Sequence, residues 1–284
     1  MVLELAGLVT ATGAVLGLLI GSFLNVVIYR VPIDLSIVTP PSVCDYCGKE
    51  IRPYDNVPVV SWLILRGRCR DCREPISIRY PIVEVLTGLF FVAVIVRFLG
   101  PVWQTVPGWT PSGRDVASSA VAIIAYLYFA AISVALASID LDVRRLPNRI
   151  VLPAYGVGIG SFAIASVLSG DYFALLSAAL GGAALFAAYF AMSMIHPRVM
   201  GLGDVKLAGV IGIFAGYAGP GPLLVGAFSA FVLGGLYALL LVVLRRASLK
   251  SDIPFGPWML AGAWIGVFAG DELWWGHLSP SGLA

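Results

Sequence analysis

Seven apolar stretches, almost free of Asp, Glu, Lys and Arg, constrain this chain more than any other feature: residues 5–29, 82–99, 116–139, 150–170, 172–195, 207–244 and 253–270. Each comes close to or exceeds the roughly 20 residues that a helix needs to cross the hydrocarbon core of a bilayer. The 207–244 stretch is too long for one crossing and is broken by Gly219-Pro220-Gly221-Pro222, a turn signal at its middle. It therefore reads as two helices, which makes eight. The chain is 59% hydrophobic and 12% charged, where a soluble domain carries about a quarter charged residues. A water-soluble enzyme and a disordered chain are both excluded. The expected fold is an all-α polytopic membrane protein in the lipid bilayer. A formal net charge of +2 gives no basic excess to recruit nucleic acid.

Positive charge in short loops marks the cytoplasmic side of a membrane protein. Of the 18 Lys and Arg residues, all but Arg97 and Arg114 fall in the loops that follow the first, third, fifth and seventh spans. Those loops are expected to face the cytoplasm and both chain ends to face outward. On the outer side, Trp103 and Trp109 suit an interfacial aromatic belt. The expected domains are a first transmembrane helix (1–29), a cytoplasmic domain (30–81) and a seven-helix membrane domain (82–284).

The 30–81 segment is too short to bury much core and needs a staple. All four cysteines of the chain lie inside it, as Cys44-Asp-Tyr-Cys47 and Cys69-Arg-Asp-Cys72 with 21 residues between the pairs. That spacing is close to the two-knuckle zinc pattern, one residue beyond the usual gap. Four thiolates favour a closed tetrahedral Zn²⁺ site, so the metal is expected to be structural and the domain zinc-ribbon-like. Lys49, Arg68, Arg70 and Arg73 are expected to offset part of the thiolate charge. Two disulfides are the alternative, which a cytoplasmic loop disfavours.

Acids at membrane depth are expensive and mark function. At the end of the third span the chain reads Ser138-Ile139-Asp140-Leu141-Asp142, with Arg144, Arg145 and Pro147-Asn148 following; before the sixth it reads Gly201-Leu202-Gly203-Asp204-Val205-Lys206. Both sequences belong to the same membrane face. Two carboxylates brought together cannot easily both ionise, so one serves as acid while the other activates water, the division of labour of an aspartic peptidase. Pro147 is expected to break the helix after Asp140, and Gly201 and Gly203 to admit a substrate backbone. Asp142 is better read as a partner of Arg144 or Arg145, and Asp204 alone would also serve as a helix cap. The two histidines, His196 and His277, form no His-Glu-x-x-His and supply no base for a serine or cysteine nucleophile.

Taken together, these residues resemble the bifunctional prepilin peptidases, the type IV leader peptidase and N-methyltransferase family. The resemblance is carried by Gly21-Ser-Phe-Leu-Asn-Val-Val-Ile-Tyr-Arg30, by Pro58 to Ser61, by Arg66-Gly-Arg-Cys69, by Tyr80-Pro81 through Glu84, and by Ile253-Pro-Phe-Gly-Pro257. It implies that the catalytic pair is Asp140, seven residues before Pro147, and Asp204, which ends the Gly-x-Gly-Asp motif. It also implies two reactions on the cytoplasmic side of the bacterial inner membrane: removal of the leader from prepilins and pseudopilins, then methylation of the new N-terminal residue with S-adenosylmethionine. The resemblance also implies that pilins of this class carry an early glutamate; Lys206, two residues beyond Asp204, reads either as its partner or as a positive-inside residue that snorkels to lipid headgroups. No Gly-x-Gly-x-x-Gly marks a cofactor site.

Three other readings carry distinct expectations. A peptidase without methyltransferase activity matches the shorter relatives that lack the N-terminal domain. A proton-coupled transporter would use Asp140, Asp204 and Glu84 as a relay and would spread acids through membrane depth. A scaffold that docks a secretion ATPase would be indifferent to both aspartates.

Overall fold

The computed structural model describes residues 2–103, 112–195, 200–245 and 254–278. Trp109, His196, Arg198, Arg246 and Lys250, with the side chains of Trp103 and His277, lie outside the described residues. Eight long helices stand where the apolar stretches predict them: α1 (Val2–Arg30), α3 (Arg79–Trp103), α4 (Gly113–Val143), α5 (Asn148–Ser169), α6 (Tyr172–Ile195), α7 (Leu202–Ala218), α8 (Pro220–Val243) and α9 (Gly256–Leu278). A ninth, α2 (Val60–Ile64), is a single turn within the polar segment. The break between α7 and α8 falls at Gly219, whose φ of 136° suits glycine alone, followed by Pro220 at the first helical position.

Six of the eight long helices are long and apolar enough to cross a membrane. The exceptions have physical reasons. Helix α7 has 17 residues, and its side chains from Leu207 to Gly216 are buried in the protein, so its surroundings are other helices and not lipid. Helix α9 is interrupted by glycines and ends its apolar run at Asp271 and Glu272. Helices α6 and α8 carry the outward apolar faces: Phe173, Phe228, Leu236 and Leu239 are all exposed, as a lipid solvent requires.

The chain divides into two compact units, Met1–Thr110 with Tyr126–Ala135, and Pro111–Ala125 with Leu136–Ala284. In the first, α1 and α3 approach through a glycine stripe. A Cβ on Gly17 would lie 2.8 Å from the Cα of Gly88, and one on Gly21 would lie 2.6 Å from the Cα of Glu84. Small residues at four-residue spacing let backbones meet, which is how helices adhere where lipid supplies no hydrophobic drive. The second unit repeats the device between α6 and α7 and between α8 and α9. It also ties α4 to α5, where Ser118 donates to the Ala165 carbonyl at 2.8 Å. Phe162 of α5 stacks on Tyr217 of α7 with centroids 3.9 Å apart.

The expected break at Pro147 takes a different form. Helix α4 ends when Arg144 adopts a left-handed conformation, φ 52°, with its amide on the Asp140 carbonyl. Pro147 instead caps α5, a position where its missing N–H costs nothing.

Gly17→Leu should destabilise the α1–α3 pair by about 1–3 kcal/mol, the usual cost of overpacking. Gly7→Ala, with nothing within 4 Å of the added carbon, should stay within about 0.5 kcal/mol. Thermal midpoints of the purified variants in one detergent check both.

Candidate active site and metal centre

In the second unit, the last turn of α4 and the first turns of α7 and α9 converge. Asp140 is buried at 5% exposure, and its Oδ2 accepts the backbone amide of Gly256 at 3.0 Å. That amide is one of the unpaired donors at the start of α9, and a carboxylate removed from water needs such a donor. Gly256 must lack a side chain, because a Cβ there would lie 2.7 Å from Asp140 Oδ2. Asp204, half-buried in the first turn of α7, accepts the Gly201 amide at 3.2 Å. The helix ends that carry the two carboxylates are joined through Leu146.

Leu146 fits between the segments that hold them. A Cβ on Gly203 would lie 3.2 Å from Leu146 Cβ, and one on Gly256 would lie 3.5 Å from a Leu146 methyl. The free side of Gly203 is thus taken by Leu146, while Gly201 is exposed. Lys206 donates from Nζ to Asn148 Oδ1 at 3.0 Å, and its carbonyl accepts the Tyr155 hydroxyl at 2.7 Å. Asp142 is exposed.

Two residues at this site received no role from the sequence. Gly256 was legible as part of a motif, and its place between Phe255 and Pro257 is the signal that a backbone approach matters there. Tyr189 of α6 is buried, interacts electrostatically with Asp204, and faces the rings of Phe231 and Phe255 at 5.7 and 6.4 Å. A tyrosine in an apolar helix gives no such signal.

The four cysteines of the first unit come together as their spacing predicts, with all four Sγ atoms within 4.8 Å of one another. Each pair sits in the same knuckle. Cys44 N–H donates to the Lys49 carbonyl at 2.9 Å and Cys69 N–H to the Glu74 carbonyl at 2.8 Å. The residue after each second cysteine, Gly48 or Arg73, is left-handed. Sulfurs bound to zinc at about 2.3 Å form a tetrahedron with edges of about 3.8 Å; Cys44 and Cys72 Sγ are 3.7 Å apart. The donor set fits a zinc ion. Amides of Cys72 and Asp71 pull the Cys69 thiol down to about 7, while burial and the neighbouring sulfurs push Cys72 up to about 12, so the cluster by itself favours one thiolate at the expense of another.

The surrounding cations are arranged differently from expectation. Lys49 pairs with Asp71 at 3.0 Å, and Arg70 grips Asp55 through Nε and one terminal nitrogen while lying over the Tyr54 ring. Both pair with carboxylates of the same segment, and Asp71 itself lies between Cys69 and Cys72. Lys49 still feels Cys47.

Comparison with known proteins gives two family matches. Residues 15–98 match the Bacterial Peptidase A24 N-terminal domain and residues 127–239 the Type IV leader peptidase family. A protein of Aeromonas hydrophila named prepilin leader peptidase/N-methyltransferase is 34% identical over 90% of this chain and 89% of its own. Proteins of the same name from Pseudomonas putida (32%, covering 95% and 93%) and Neisseria gonorrhoeae (32%, covering 92% and 91%) are similar. No solved structure gives a significant match.

The Arg70 guanidinium holds the Asp55 carboxyl below its ordinary value. Its contribution is present above the unfolded pKa, about 3.9, and is lost as pH falls through the depressed folded value. Compared with Asp55→Asn, the wild-type segment should therefore resist proteolysis better at neutral pH. That advantage should begin to shrink below about pH 4 and vanish only once pH has fallen below the depressed folded value, measured with an acid-active protease.

Proposed function

This chain belongs to the type IV leader peptidase family, and from that premise we propose that it is a membrane-embedded aspartic peptidase and N-methyltransferase. Its substrates are type IV prepilins and pilin-like secretion proteins, cleaved on the cytoplasmic side of the bacterial inner membrane. The observation that carries the cleavage reading is the convergence of the helix ends that hold Asp140 and Asp204: Leu146 packs both on Gly203, next to Asp204, and on Gly256, whose amide holds Asp140. One aspartate takes a proton from water as it attacks the scissile carbonyl, and the other gives a proton to the leaving amine. The Gly256 amide fixes Asp140 and the Gly201 amide fixes Asp204, so neither acid has to be reoriented when substrate arrives.

The substrate presents its scissile bond at this helix junction, with its apolar segment in the lipid. Gly201 and Gly203 border the approach, and Lys206 meets the early glutamate of the pilin by exchanging its bond to Asn148 for a charged one. S-adenosylmethionine supplies the methyl group for the new N-terminal amine, and the 30–81 segment serves that second reaction. The match of residues 15–98 to the family's N-terminal domain favours the bifunctional enzyme over a peptidase alone. A structural Zn²⁺ on Cys44, Cys47, Cys69 and Cys72 holds the segment together. The transporter reading is not favoured, since residues 127–239 match the Type IV leader peptidase family and the similar proteins are named prepilin leader peptidase/N-methyltransferase.

Asp140→Asn and Asp204→Asn should each abolish leader cleavage in a gel assay with purified prepilin, while Asp142→Asn keeps most of it. Gly256→Ala, which displaces the Asp140 carboxylate, should lower kcat by about 100-fold with a smaller effect on KM. Wild-type protein should carry one zinc by metal analysis and Cys44→Ser, Cys69→Ser protein none.

A further inference from the structure

Glu84 is a buried acid, 7% exposed, that leader cleavage does not use. It lies on α3 and touches different parts of the first unit. The Val59 amide donates to its Oε2 at 2.7 Å, and its Cα packs on α1 at Gly21. Gly21 thereby lets α1 and α3 meet at this level.

Val59 is the unusual partner. Its φ of 61° and ψ of −50° are those of a γ-turn, and the turn is closed by Val60 N–H on the Pro58 carbonyl at 2.6 Å. A β-branched residue at the centre of such a turn is rare and strained, and strain persists where the surroundings over-determine it. The restraints here are visible. Glu84 holds the amide of the strained residue, and the Ser61 hydroxyl ties both sides of the turn, accepting from Val57 N–H at 3.1 Å and donating to the Tyr54 carbonyl at 2.8 Å. The turn launches α2, whose Trp62 covers Gly67 and donates to the Ile76 carbonyl at 3.1 Å. The line of contacts thus runs from the α1–α3 pair through Glu84 and Val59 to the second cysteine knuckle.

We propose that Glu84 is a positioning residue, a latch that seats the four-cysteine segment on the α1–α3 pair through the strained turn at Val59. Methyl transfer depends on this seat and leader cleavage does not, a consequence that rests on the bifunctional reading above. The role needs an acceptor for the Val59 amide and no proton exchange. Glutamine meets that need and alanine does not. Glycine at position 59 adopts the same backbone without strain and lessens the need for the latch.

The test uses full-length protein with prepilin and labelled S-adenosylmethionine, following leader loss, label transfer and proteolysis within residues 31–78. Glu84→Ala should expose the segment to protease and slow label transfer, each by about tenfold, the factor expected when an enclosed amide is left without its acceptor. Cleavage should stay within about twofold, because one lost hydrogen bond in the first unit leaves both aspartates in place. Glu84→Gln should restore protection and label transfer, and Val59→Gly should restore part of both in the Glu84→Ala background. Unchanged proteolysis in Glu84→Ala overturns the latch, as does a Glu84→Gln variant as defective as Glu84→Ala, which would assign the role to the charge. If wild-type protein transfers no label, the bifunctional reading fails, and the protease comparison alone then upholds or overturns the latch.

Discussion

The bond from the Gly256 amide to Asp140 makes the remaining geometry of the second unit intelligible. A carboxylate at the end of a largely apolar helix has lost water and must find donors in the protein. The first turn of a helix is the cheapest source, since its amides have no intrahelical partner and carry the positive end of the dipole. Asp204 draws on the amide of Gly201 at the start of its own helix, and Asp140 draws on the start of α9, 116 residues away in sequence. The second choice imposes conditions. Residue 256 can carry no Cβ, α4 must stop soon after Asp140, and the returning chain must bring Leu146 between Gly203 and Gly256.

Backbone proximity of that kind extends through both units. Lipid competes for apolar side chains as well as protein does, so packing close enough for dispersion to hold two helices needs small residues at the contact. Gly13, Gly17 and Gly21 serve α1 against α3, while Gly181 and Gly182 face Gly212 and Gly209 between α6 and α7. Gly226 and Gly262 do the same for α8 and α9. The glycines whose added carbon would touch nothing, such as Gly156 and Gly160 on α5, show that the pattern follows contact and not composition.

The sequence makes the helices legible because the bilayer imposes a length that any apolar run must meet. The cysteine tetrad is legible because metal geometry imposes a spacing. The helix break at Gly219-Pro220 could be read from local conformational limits alone. What could not be read was decided by contacts between distant segments. Nothing around Gly256 announces that its amide serves Asp140. Lys49 and Arg70 carry the right charge to sit over thiolates, yet Asp71 and Asp55 claim them, and no local pattern says which anion a surface cation will choose. Pro147 was read as a helix breaker because proline stops helices; its place as the cap of α5 depends on the left-handed turn at Arg144, which is not a residue type that advertises one.

The segment between α1 and α3 is held by few and dissimilar restraints, and this gives it a thermodynamic character unlike that of the helices. It buries little apolar surface: Val38, Tyr46, Tyr54 and Leu63 are all exposed. Its Lys49–Asp71 pair lies at the surface, where it contributes little, and the Arg70–Asp55 pair is enclosed on the acid's side alone. What remains is the thiol cluster and the bonds to the helix pair: Arg30 to the Ser36 carbonyl at 2.9 Å and Glu84 to Val59. Of the Gly21 to Arg30 motif, Arg30 thus reaches the segment, while Asn25 ties α1 to the Tyr80 carbonyl of α3 at 3.2 Å. A segment so stabilised has no large core to lose in steps, and a metal that binds only its ordered form adds its binding energy to that order. The bonds to α1 and α3 favour the same ordered form. By linkage, tighter seating must raise the metal affinity and metal binding must tighten the seating, each by the same factor. The helix pair and a metal bound at the four cysteines would therefore act on one equilibrium, and Arg30 of the N-terminal motif would belong to the energetics of that centre without being a ligand.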